Sequence, residues 1–95
     1  MNFLIVMVNV NPGLGVQDVQ NVLQGMANWY RIAPNLWVLH TNEPTTTWFA
    51  RLQMLVTPSG TLFISPLNPN GRQGLMPQPF WDWVNQRIAA SPFRY

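Results

Sequence analysis

The chain has 95 residues, enough for one domain with one modest core, and 47% of them are hydrophobic, so it folds without covalent staples. There is no Cys, which excludes disulfides, thiolate metal sites and a cysteine nucleophile, and fits a reducing compartment and a cytoplasmic location. Charged residues make up only 8% against a typical ~25%, there is no Lys, and five Arg against three acids leave a net charge of +2.

The sequence pI of about 10.0 reflects a scarcity of acids and not a basic patch. Arg31, Arg51, Arg72, Arg87 and Arg94 are scattered. Nucleic-acid binders show a denser footprint. The surface must lean on Asn, Gln, Thr and Ser. Such a surface is poorly defended against association, so a permanent partner surface is expected.

Residues 3 to 8 form an unbroken apolar run. No positive stretch precedes it, no small-residue cleavage site follows it, and Asn9 and Asn11 interrupt it, so it does not read as a secretory signal. It is far shorter than the ~20 residues a membrane span needs, and no membrane partner is expected. Residues 2–10 therefore read as a buried strand. Asn11-Pro12-Gly13 ends it. Val16, Val19, Leu23 and Met26 recur at helical spacing and predict a helix over 15–26. Trp29, Tyr30 and Ile32 read as a short second strand. Pro34-Asn35 marks a tight turn, and 36–41 a third strand. Asn42 to Thr47 supplies helix-start chemistry, and Trp48, Leu52, Leu55 and Val56 space as a second helix. Pro58-Ser59-Gly60 turns the chain into a fourth strand over 61–65.

The order β-α-β-β-α-β predicts an α+β, ferredoxin-like fold: a four-stranded antiparallel sheet with two helices on one face, plus a C-terminal helix. The fold is expected to occupy 1–67. A Pro/Gly/Asn-rich stretch begins at Pro66 and cannot be a central strand. The linker spans 68–79, and 80–95 forms a helical tail whose helix runs over about 79–90. Phe80, Trp81, Val84 and Ile88 give that tail an apolar side that must dock, on its own protomer or on a neighbour.

In the first strand, Leu4, Val6, Val8 and Val10 point one way, and Phe3, Ile5, Met7 and Asn9 the other. One set packs under the helices. The other face is apolar too, which marks an interface. Phe3, Ile5, Met7 and Asn9 are accordingly expected at the interface of a homodimer.

Three stretches carry a family resemblance. They are Val8-Asn9-Val10-Asn11 closing the first strand, the hairpin Asn28-Trp29-Tyr30-Arg31-Ile32 with Leu36-Trp37-Val38-Leu39-His40-Thr41, and Leu62-Phe63-Ile64. Together they resemble the small SinR-like proteins related to the second CRISPR-associated protein, the nuclease-like subunit of the spacer-acquisition complex. The resemblance covers about residues 2–67. It implies a ferredoxin-like homodimer joined through its sheets. In the nuclease members an aspartate ending the first strand is thought to hold a divalent metal at the dimer axis. Asn9 stands there in this chain, and an uncharged amide is a weak ligand for Mg²⁺. The fold and the dimer carry over; the catalysis does not. No catalytic residue, metal or cofactor is assigned.

The other candidate chemistries have weak signals. His40, the lone histidine, is expected at a strand end, hydrogen-bonded to a turn; a metal site needs several ligands. Ser59, Ser65 and Ser91 lack a nucleophile-elbow motif. Asn11-Pro12-Gly13-Leu14-Gly15 matches neither a dinucleotide fingerprint nor a P-loop and reads as a plain strand-to-helix turn. Trp29, Trp37, Trp48, Trp81 and Trp83 are expected in cores or interfaces, although Trp also stacks on bases. The third strand lacks the Gly-aromatic pattern of RNA-recognition modules. The expected function is non-catalytic binding or scaffolding by a homodimer, with a further protein partner allowed. The alternatives are a divergent metal-dependent nuclease using Asp18 or Glu43, and a nucleic-acid-binding module using Arg31, Arg51 and exposed Trp.

Overall fold

The structure, a computed structural model, describes residues 2–25, 27–69 and 74–90. Met26, Ser91, Arg72 and Arg94, part of the expected linker and the last residues of the expected tail lie outside them. The element order is β1 (Asn2–Asn9), α1 (Val16–Leu23), β2 (Asn28–Ala33), β3 (Leu36–Thr41), α2 (Thr45–Val56), β4 (Thr61–Leu67) and α3 (Gln78–Ala90). The strands form one four-stranded antiparallel sheet in the order β2-β3-β1-β4. No helix among the described residues is long and apolar enough to cross a membrane.

Pairing sets the faces. Leu4 lies opposite Leu39, and Val6 opposite Trp37 and Ile64. With Val8 they meet Val19 and Leu23 of α1 and Trp48, Leu52 and Val56 of α2 in a buried core. The apolar residues of α2 are spaced 48, 52, 56, so one stripe faces the sheet. The opposite face carries Phe3, His40, Val38 and Tyr30. There Phe3 and Val38 are buried against Phe80 and Val84 of α3, with Trp81, Trp83 and Ile88 at the margin. The helix of the tail thus docks on its own sheet.

Several boundaries differ from expectation. α1 stops at Leu23 and not at 26, because Gly25 turns left-handed at φ +81° and ends the helix. α2, by contrast, starts at Thr45 with Pro44 at the N-cap, inside the expected start region of Asn42 to Thr47. β4 runs on through Pro66 and Leu67. Pro66 is tolerated because β4 is an edge strand, where a missing N–H breaks no ladder. α3 begins at Gln78, inside the expected linker, with Pro79 in the first turn, where its absent donor costs nothing.

Candidate functional site

The end of β1 is held by amides. Asn9 Nδ2 donates to Thr61 Oγ1 at 3.0 Å, and Asn35 Nδ2 donates to Asn9 Oδ1 at 3.3 Å. Asn11 ties down the turn between α2 and β4: its Nδ2 donates to the Thr57 carbonyl at 2.6 Å, and its Oδ1 accepts from Ser59 N–H at 3.0 Å. Gly60 is required here, because a Cβ would collide with the Asn9 carbonyl oxygen. A divalent cation does not fit this donor set. Asn9 offers a neutral oxygen already engaged by another amide, and Mg²⁺ favours carboxylates. Among the described residues no three His, Cys, Asp or Glu come together. Asp18 caps α1 by accepting from Gly15 N–H at 2.8 Å, and Glu43 sits 3.9 Å from Arg51.

His40 is corrected by the structure. It is not bonded to a turn. It is 2% exposed, its ring centroid lies 4.7 Å from that of Phe3, and neither ring nitrogen has a hydrogen-bond partner among the described residues. Burial lowers its pKa, and the positive charges of the N-terminus and of Arg87 on α3 add to that.

The residues expected at a dimer interface do not form one open patch. Phe3 is covered by α3, Asn9 is bonded within the chain, Ile5 is half-buried, and Met7 is 37% exposed. Of the tail residues, Phe80 and Val84 are buried on the sheet, and Trp81 and Ile88 half-buried beside them. The two candidate nucleic-acid contacts are spent locally. Arg31 donates from Nε to the Ala33 carbonyl at 3.2 Å and lies 5.9 Å over Trp37. Arg51 pairs with Glu43 and lies 4.8 Å over Trp48.

A surface that the sequence reading did not single out lies along β4. The strand Thr61–Leu67 has no charged residue, and Phe63 at its middle is 56% exposed. Beside it Phe49 of α2 is 48% exposed. Thr45, Thr46 and Phe49 of α2 and Leu62, Phe63 and Ile64 of β4 line a groove of about 360 Å³. Its available signal was an uncharged strand holding a proline, the mark of an edge; the hydrophobic pattern does not say which strand is outermost. No protein-family model matches the chain, and no curated protein or solved structure matches it.

Proposed function

We propose that the chain is a non-catalytic binding or scaffolding protein that acts as a homodimer, of the kind its resemblance to the SinR-like, CRISPR-adaptation nuclease-like proteins implies. The strand order β2-β3-β1-β4, with α1 and α2 packed on one face, supports the finer assignment to a ferredoxin-like fold. One observation carries the functional reading: the uncharged β4 edge with Phe63 and Phe49 both about half exposed, on a chain with few charges to keep copies apart. The amide-bonded Asn9 in the position of the metal-binding aspartate supports a binding role over a catalytic one.

Sedimentation equilibrium of the full chain tests the homodimer, with a monomer–dimer equilibrium expected in the micromolar range. A chain that stays monomeric at all concentrations refutes it. Mg²⁺-dependent cleavage of nucleic acid that disappears on Asp18→Ala would refute the non-catalytic assignment.

A further inference from the structure

Hydrogen-bond polarity fixes which groups of β4 face outward. Val8 N–H donates to the Asn35 carbonyl at 2.8 Å, on the β3 side of β1. In an antiparallel strand the N–H and C=O of one residue point the same way, and direction alternates along the chain. The even residues of β1 therefore face β3, and Phe3, Ile5, Met7 and Asn9 face β4. Their partners are Leu67, Ser65, Phe63 and Thr61. The outward groups of β4 are then those of Leu62, Ile64 and Pro66. Pro66, which has no N–H, thus falls where no bond to β1 is lost.

Resting on the homodimer reading, we propose that the partner is a second copy of this chain, joined by antiparallel pairing of the two β4 edges about a two-fold axis at Phe63. That register sets Leu62 opposite the partner's Ile64, where each pair exchanges two backbone hydrogen bonds. Phe63 meets the partner's Phe63, and Thr61 meets the partner's Ser65. An axis shifted to Ile64 would set Leu62 against the partner's Pro66 and lose a donor, and one shifted to Leu62 would set Ile64 against the partner's Gly60, whose N–H is already bonded to the Val56 carbonyl.

Charge favours this occupant. β4 carries no charge, so the pairing brings no like charges together. Phe63 adds an aromatic cross-strand pair on one face. On the other face Phe49 of α2 comes up to the same edge, so the two grooves close together. The opposite edge differs: β2 carries a charged residue, Arg31, and a register shift between Arg31 and Ala33.

The absence of cysteine makes the test clean. Phe63→Cys is placed in the full chain and oxidised under mild conditions, beside Met54→Cys as an exposed control. Residues opposite at a non-hydrogen-bonded position lie about 4.5 Å apart at Cα, close enough for a disulfide. The expected result is a covalent dimer from Phe63→Cys and little from Met54→Cys. A mixture of Thr61→Cys and Ser65→Cys chains should cross-link, whereas each alone should not. Phe63→Lys, at a half-exposed position the fold does not need, should raise the dimer dissociation constant at least tenfold with an unchanged circular dichroism spectrum. A dimer in sedimentation that neither cross-links through position 63 nor weakens with Phe63→Lys overturns the edge assignment and leaves the homodimer standing. A full chain that is monomeric throughout overturns both.

Discussion

The two faces of the sheet are both apolar, yet they are closed in different ways. On one, Trp37 and Leu39 of β3 and Leu4, Val6 and Val8 of β1 meet two helices that are each tied to a strand at both ends. Neither helix can leave without unfolding the domain. On the other, a single helix is seated through Phe80 and Val84 on Phe3 and Val38. Aromatic edges finish the contact, with Tyr30 and Phe80 centroids 5.4 Å apart and Phe3 and Trp83 6.0 Å apart. Beneath it lies His40, with both nitrogens unpartnered among the described residues. Equal hydrophobicity thus does not mean equal cooperativity. A face closed by two helices threaded between strands is obligatory, whereas one closed by a single helix seated through two buried residues can open locally.

Three measurements bear on that contrast. The largest effect is expected from Trp48→Ala, which empties the first face and also removes the indole bond to Thr41 Oγ1 at 3.3 Å. It should cost about 3–5 kcal/mol in urea unfolding, through the whole domain at once. A loss under about 1 kcal/mol would mean that this face is not the obligatory core.

A smaller effect, about 2 kcal/mol, is expected from Phe80→Ala, because undocking of α3 limits the loss. Native-state hydrogen exchange should show α3 amides losing protection while β1 and β3 keep theirs. If all elements lose protection together, the two faces form one cooperative unit and the contrast fails.

The smallest effect is a pH dependence confined to the second face. The folded state lowers the pKa of His40 below its ordinary 6.5, so the unfolded chain binds the proton more readily. This contribution is fully present above pH 6.5 and is lost as pH falls through the folded value. Acidification should therefore lower the stability, with α3 opening first, since Arg87 on that helix adds to the positive charge around His40. In His40→Phe the step attributable to this residue should vanish from a comparison of urea midpoints at neutral and mildly acid pH. An unchanged pH profile in that variant would remove His40 from the account.

Much of the fold was legible because it rests on local chemistry. The alternation in β1, the 48–52–56 spacing of α2 and the Asn11-Pro12-Gly13 break each follow from a few neighbouring residues. The candidate surface was less legible. Phe63 reads as one more apolar strand residue, and the uncharged strand with Pro66 marks an edge without saying that Phe63 is left exposed. Met7 and Phe3 share a face by alternation, yet only the seat of α3 makes one 37% exposed and the other 1%. His40 reads as a polar strand end until the helix closes over it.

By itself, then, the sequence determined the order of strands and helices, the two-sided apolar character of β1, the absence of cysteine chemistry and the amide at Asn9. Periodicity, turn residues and composition act over a handful of positions and need no partner. Only the tertiary structure decided that the tail helix covers its own sheet, that His40 is buried without hydrogen-bond partners among the described residues, and that β4 is left as an uncharged edge. Those outcomes depend on which distant segments meet, and burial and edge position are properties of the assembled sheet rather than of any residue within it.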